Sequence, residues 1–202
     1  MSCPVTLHLT ILLSIEQHAQ DIDIIVSEDD YLDKFDPEDI KEAIVVEDAR
    51  YYLVQSRRRE ATHRILYCRL PGWARDKTRR VKVDILVPPT GDHNLPVISE
   101  DERFFIDSIP VMPIFDLLVM KTQGWWHHCT SSREDFSEKE SADVSDIFAL
   151  LDRAKQENVS FVDEANEERH SPEFMSYAST LAKRFVRDYG RPRRWRTLGF
   201  PV

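Results

Sequence analysis

The stretch Asp21-Ile22-Asp23-Ile24-Ile25-Val26 decides how this sequence is interpreted. Its apolar residues form a short run rich in isoleucine and valine, and such runs are typical of β-strands. The run also carries two acidic residues, Asp21 and Asp23. Residues two apart on a strand project from the same face, so Asp21 and Asp23 point the same way, with backbones roughly 7 Å apart. Two carboxylates this close repel each other unless a cation lies between them. The pair is therefore a candidate site for Mg²⁺, which binds one or two carboxylates together with substrate phosphates.

A third acidic residue, Asp84, lies inside another apolar segment, Lys82-Val83-Asp84-Ile85-Leu86. Polar and apolar residues alternate around it, which predicts a strand over Arg80–Val87. A charge among buried neighbours is costly unless it is paired or bound to a metal. If the two acidic strands adjoin, Asp84 completes a three-carboxylate cluster of the kind used in two-metal phosphoryl transfer. The alternative is that the first two acids cap a sheet edge or pair with basic residues.

The composition excludes several other classes of protein. Only five of the 202 residues are glycine, and no two lie close enough to form a Walker A loop or a G-x-G-x-x-G turn. The net charge of −9 argues against a wholly basic nucleic-acid binder. Three well-separated cysteines predict reduced thiols in an intracellular, cytoplasmic protein rather than a disulfide framework. The apolar run from Val5 to Ile15 is too short to span a bilayer, so no membrane association is expected.

The remaining pattern predicts strands early in the chain and helices late. This order favours an α/β or α+β fold in which helices pack on a mixed sheet. Helices are expected where Pro, Ser or Gly mark the ends of segments with apolar residues at helical spacing. Strands are predicted at 22–26, 51–55, 64–70, 80–87 and 104–106, and helices at 37–47, 113–124, 137–154 and 171–189.

Four segments, taken in order, resemble the nucleotidyltransferase-fold superfamily. The two acidic strands described above are the first two segments. The third is Ile109–Trp125, which is similar to the lysine-bearing helix of antitoxin-like and small fungal nucleotidyltransferase-like proteins and contains Lys121. The fourth runs from Lys139 through Asp143-Val144-Ser145-Asp146-Ile147 and resembles the polar helix that follows there. The resemblance covers about two-thirds of the chain, and it implies a nucleotidyltransferase-like domain over 1–155 with a helical, basic C-terminal extension over 156–202.

The resemblance implies transfer of a nucleoside monophosphate from a nucleoside triphosphate, with ATP expected, to a hydroxyl of RNA, protein or a small molecule. Asp21, Asp23 and Asp84 would hold Mg²⁺ or Mn²⁺, and Asp84 would help to deprotonate the acceptor. Lys121 would reach a phosphate as a point charge; the alternative is a surface lysine. Asp143 and Asp146, three apart on one helical face, are interpreted as anchors for Lys121 or another basic residue.

Two alternatives remain open at this stage. The superfamily carries a Gly-Ser or Gly-Gly turn shortly before its paired acids, but residues 8–16 contain no glycine. This difference favours a catalytically inactive module of the same fold that acts by binding a nucleotide or a partner. The basic segments Arg57–Arg59 and Arg191–Arg196, with Trp195 stacking on a base, would instead suit a nucleic-acid-binding protein. Their alternative interpretation is a solvated loop and tail.

Overall fold

Strands fill the first part of the chain and helices the rest in the computed structural model, which describes residues 8–12, 21–27, 36–57, 62–87, 96, 98, 104–131 and 139–202. The chain divides after Met112 into two compact units, 1–112 and 113–202. The fold is mixed α+β with a mixed sheet, which confirms the predicted class. The predicted boundary at residue 155, which concerns a family domain, stays a prediction.

In its described part, the first unit contains one helix and a seven-stranded sheet. Helix α1 spans Pro37–Glu47, as predicted; Asp36 caps it by accepting a hydrogen bond from the backbone N–H of Glu38. The strands are β1 (His8–Leu12), β2 (Asp21–Ser27), β3 (Tyr51–Gln55), β4 (Arg64–Arg69), β5 (Arg80–Leu86), β6 (Phe104–Ile106) and β7 (Ile109–Val111).

The strand order is β3-β4-β5-β2-β1-β7-β6. Strands β2 and β5 run parallel, as do β1 and β7, whereas the other neighbouring pairs are antiparallel. The two acidic strands predicted from the sequence are therefore direct neighbours near the middle of the sheet. Strand β1 pairs with the other edge of β2, so residues 8–12 belong to the sheet.

One face of the sheet in the first unit is apolar. Along β5, Val81, Val83 and Ile85 are buried, while the residues between them are half-buried. This alternation is the one that the sequence predicts. The core on this side joins residues of α1, β2, β4 and β5, namely Ile24, Val26, Ile40, Leu66, Val83, Ile85 and Val87. The opposite face of β2 and β5 carries the charged residues.

The second unit is helical in its described part. Its helices are α2 (Ile114–Thr130), α3 (Glu140–Gln156), α4 (Glu164–Arg169), α5 (Pro172–Tyr189) and α6 (Pro192–Thr197). The predicted start of α3 at Ser137 lies outside the described residues. Among the described residues, no helix combines the length and apolar character that crossing a bilayer requires.

Helix α2 continues six residues beyond its predicted end at Gly124, and that prediction was wrong. Glycine ends a helix where its backbone turns left-handed, but Gly124 is absent from the residues with positive φ. Trp125, which follows it, is fully buried and packs edge-on against Phe185 and Tyr189 of α5. Tertiary packing of this ring therefore favours continued helix over the local stop signal.

Candidate functional site

The three carboxylates predicted to form a cluster lie on one face of the sheet. In the parallel pair of β2 and β5, Asp23 lies opposite Asp84, and Asp21 lies opposite Lys82. Paired residues on neighbouring strands project from the same side, and strands lie roughly 5 Å apart. The register therefore brings Asp21, Asp23 and Asp84 together, as the prediction of a cluster requires.

Lys82 is the cation of this cluster. Its Nζ donates a short hydrogen bond to Oδ2 of Asp84 and lies 4.0 Å from Oδ2 of Asp21. About a third of each of these three side chains is exposed: 33% for Lys82, 37% for Asp21 and 38% for Asp84. Burial lowers the pKa of Lys82, but the hydrogen bond to Asp84 and the charges of Asp84, Asp21 and Asp23 outweigh it and raise that pKa.

The sequence contained a signal for this contact that the prediction did not use. Lys82 stands two residues before Asp84, so the alternation that predicted β5 also placed both side chains on one face. The mutual repulsion expected between the carboxylates is thus reduced by a charge from the chain itself. Asp21, Asp23, Lys82 and Asp84 together are called the carboxylate cluster below.

The cluster fits a divalent cation in its ligand type and in the placement of its strands. Carboxylate oxygens are the ligands that Mg²⁺ prefers, and three of them face one side of two adjacent strands. In the side-chain positions described, no three His, Cys, Asp or Glu residues converge to hold a metal ion. Instead, the ammonium group of Lys82 forms a hydrogen-bonded ion pair with the carboxylate of Asp84. The fit to Mg²⁺ therefore requires Lys82 to release Asp84.

Lys121, the predicted phosphate-binding residue, lies on α2 in the second unit. Its Nζ donates a 2.8 Å hydrogen bond to Oδ2 of Asp146 on α3, whose side chain is 7% exposed. Asp146 therefore contacts Lys121, one of the partners that the sequence analysis proposed for the two aspartates. The role of Lys121 toward a phosphate stays a prediction.

Asp143, the other predicted anchor, contacts a histidine rather than Lys121. One turn before Asp146 on α3, its Oδ2 lies 2.5 Å from Nδ1 of His128 on α2. Two side-chain pairs therefore join these helices at successive turns. The sequence spacing predicted that the aspartates share a face but did not distinguish their partners.

A buried ionic group in the second unit was missed by the sequence analysis. Asp116 on α2 is fully buried, and its Oδ1 lies 2.9 Å from Nε2 of His170. Its Oδ2 lies 3.5 Å from the guanidinium of Arg169. An acidic residue inside the apolar run from Ile114 to Met120 was the available signal, because such a charge needs a buried partner.

Trp195, which was predicted to stack on a nucleic-acid base, lies in the core of the second unit. Trp195 is 1% exposed and packs against Phe185 and Phe200 inside the second unit. A ring held in the core cannot stack on a nucleic-acid base, so that part of the prediction was wrong. Arg58 and Arg59 lie outside the described residues, and the role of the arginines around Trp195 stays a prediction.

Comparison with protein-family models, curated proteins and solved structures gives no match to this chain. The resemblance to nucleotidyltransferases therefore depends on the four sequence segments alone.

Proposed function

We propose that this chain is a nucleotidyltransferase-like protein that transfers a nucleoside monophosphate from a nucleoside triphosphate, with ATP expected, to a hydroxyl acceptor in an Mg²⁺-dependent reaction. The observation that carries the proposal is the parallel pairing of β2 with β5. It places Asp23 beside Asp84, with Asp21 on the same face. Three carboxylates on adjacent strands are the donor set that two-metal phosphoryl transfer uses.

In this proposal Asp21, Asp23 and Asp84 hold Mg²⁺ or Mn²⁺. When bound, the cation supplies positive charge that neutralises the triphosphate and orients its α-phosphorus. A carboxylate oxygen of Asp84 accepts the proton of the acceptor hydroxyl. The hydroxyl oxygen forms a bond to the α-phosphorus, the bond to the oxygen that bridges to the β-phosphate breaks, and pyrophosphate leaves with that electron pair.

Lys82 holds the cluster together in the absence of a metal. Its ammonium sits on a flexible four-carbon stem, so it can move away from Asp84 without a change in the strand. Displacement by a divalent cation would free all three carboxylates for coordination. Lys121 stays the proposed phosphate-binding residue of the second unit, with its ammonium oriented by Asp146.

Calorimetric titration of the protein with ATP, with and without Mg²⁺ or Mn²⁺, tests this function. We expect ATP to bind only with the metal, and Asp23→Asn to weaken that binding at least about ten-fold. Asp39→Asn is the matched control, because it removes one acidic charge from an exposed position on α1. Absence of metal-dependent ATP binding in the unaltered protein would contradict the proposal.

An inactive module of the same fold is the second candidate. It is favoured by the contact of Lys82 with Asp84 and by the lack of glycine in residues 8–16, where the resembled family carries its phosphate turn. Such a module would bind ATP or a partner without turnover. Release of pyrophosphate from ATP, dependent on Asp23, would exclude it; metal-dependent ATP binding without any pyrophosphate release would favour it.

A further inference from the structure

We propose that the sheet face beside the carboxylate cluster binds a single-stranded polynucleotide, whose terminal hydroxyl is the acceptor of the transfer. The inference names the acceptor and so rests on the proposed function. The surface consists of Tyr52, Tyr67, Arg69, Trp73, Lys77 and Arg80, here called the aromatic–cationic patch. Its residues come from β3, β4, the turn that follows β4, and the start of β5.

Three aromatic rings form the base of the patch. The rings of Tyr52 and Tyr67 stack with centroids 5.8 Å apart and planes inclined by 25°. The ring of Trp73 lies 5.9 Å from that of Tyr52. All three side chains are half-buried, so part of each remains open to solvent. Such rings are the platforms on which unpaired bases stack.

Cationic groups lie directly over these rings. The guanidinium carbon of Arg69 is 4.6 Å from the ring centroids of both Tyr52 and Trp73. Arg80 lies 4.4 Å from the centroid of Tyr67, and Nζ of Lys77 lies 3.3 Å from that of Trp73. Cation–π contacts of this kind hold positive charge at an aromatic surface.

Ring contacts and hydrogen bonds together position the patch: Arg69 donates to the carbonyl of Ala49, and Nη1 of Arg80 donates a 3.2 Å hydrogen bond to the hydroxyl of Tyr52. The Nε of Arg69 and the indole Nε1 of Trp73 are both buried without a hydrogen-bond partner among the described residues. Arg80 and Lys77 are exposed, so their charged groups can contact phosphates in solvent. The patch therefore offers the two features that a single strand requires, namely the parts of the half-buried rings that the cations leave open, for bases, and exposed cations for phosphates.

The strand register connects the patch to the carboxylate cluster. Tyr67 lies opposite Lys82, and Arg69 lies opposite Arg80, in the antiparallel pair of β4 and β5. Tyr52 lies opposite Tyr67 in the pair of β3 and β4. Paired residues share a face, so the tyrosines, the arginines and Asp84 all project from one side of the sheet. Tyr67 lies one strand spacing, roughly 5 Å, from Lys82 and two spacings, roughly 10 Å, from Asp21, so a polynucleotide bound on the patch would have its end close to the carboxylates.

Charge complementarity selects a polyanion as the occupant. Residues 62–87 carry seven Lys or Arg and two acidic residues, whereas the whole chain has a net charge of −9. A basic patch on an acidic protein attracts a polyanion locally. The half-buried rings favour a single strand over a duplex, because the faces of paired bases are covered by their neighbours in the stack.

Fluorescence anisotropy with labelled twelve-nucleotide strands of RNA and of DNA tests this inference, without ATP or metal. We expect either strand to bind more tightly than the matching duplex, and the preferred strand identifies the acceptor. Trp73→Ala should weaken binding about ten-fold. Arg80→Ala should reduce the slope of log K, the logarithm of the binding constant, against log salt concentration by about 0.7, because one phosphate contact is lost. Trp73→Phe should restore most of the affinity, and Arg153→Ala, at an exposed position on α3, should bind as the unaltered protein does.

Several results would overturn the inference. They are equal binding of the duplex, equal binding of a polyglutamate peptide of the same length, and unchanged affinity in both the Trp73→Ala and Arg80→Ala proteins. Thermal unfolding establishes that each variant is folded. Asp23→Asn should still bind the strand, because the patch does not require the metal. If the unaltered protein binds ATP but no polynucleotide, only the polynucleotide acceptor is overturned. If it binds the polynucleotide but no ATP, only the proposed nucleotide chemistry is overturned.

Discussion

Asp23 of β2 and Asp84 of β5 stand directly opposite each other on two parallel, hydrogen-bonded strands. Like charges at such positions are destabilising unless a cation joins them. Lys82 supplies that cation through its contact with Asp84. The cluster therefore combines a candidate metal site with a lysine that stabilises it when no metal is bound.

Replacement of Lys82 by methionine should make the protein depend on a divalent cation. The variant leaves three carboxylates without their ammonium, so its free energy of unfolding in a chelator should fall by about 1 kcal/mol. Addition of Mg²⁺ should raise the unfolding temperature of Lys82→Met more than that of the unaltered protein. Thermal unfolding of both proteins, with chelator and with Mg²⁺, measures the difference.

Lys77→Met is the control for that experiment, because it removes a lysine from an exposed position outside the carboxylate cluster. It should show the same Mg²⁺ response as the unaltered protein. Equal Mg²⁺-induced shifts in Lys82→Met and Lys77→Met would refute competition between Lys82 and the metal.

Loss of the charge of Asp116 should be far more damaging than loss of an exposed aspartate. Asp116→Asn leaves His170 and Arg169 beside a neutral side chain in the core, and should cost about 3 kcal/mol in the free energy of unfolding. Asp152→Asn removes a carboxylate that pairs with Arg194 but is 54% exposed. That control should cost no more than about 1 kcal/mol. Chemical denaturation compares them, and equal losses would show that the buried group contributes no more than a surface pair.

Two glycines should respond oppositely to substitution by alanine. Gly124 lies inside α2, and an added Cβ would meet no atom within 4 Å beyond its chain neighbours and the nearby helix backbone, so Gly124→Ala should stabilise the protein by about 0.5–1 kcal/mol. Gly190 follows α5 with φ +71° and ψ −148°, a region that is essentially restricted to glycine. Gly190→Ala should therefore destabilise it by about 1–3 kcal/mol. Denaturation midpoints measure both changes, and stabilisation by both substitutions would contradict the backbone argument.

Elements with strong local signals could be predicted from the sequence. Helix α5 follows Ser171, which accepts a hydrogen bond from the N–H of Phe174, begins at Pro172 and ends before Gly190. Strand β5 follows from alternation alone. These features depend on residues that are close in sequence, where capping and side-chain period determine the structure.

Features that depend on distant partners could not be predicted in the same way. Strand β7 is only three residues long and is defined by its pairing with β1 and β6. The alternation of His8-Leu9-Thr10-Ile11 in β1 was a local signal that the prediction overlooked. Asp116 and His170 are 54 residues apart, and no local pattern connects them. The aromatic–cationic patch depends on the register of three strands, so its residues look unrelated in the sequence. The cluster itself was predicted because each acidic strand has its own local signal, although the contact of Lys82 with Asp84 was overlooked.

The position of β2 between β1 and β5 has a consequence for any ligand of the carboxylates. Asp23 is paired with neighbours on both edges of the strand and Asp21 is paired with β5, so both are attached to a support that is already ordered before a ligand arrives. Binding would then restrict only side-chain rotamers and would not have to freeze a loop. A site of this kind is preorganised, and its affinity should respond to the identity of the side chains more than to the flexibility of the chain that carries them.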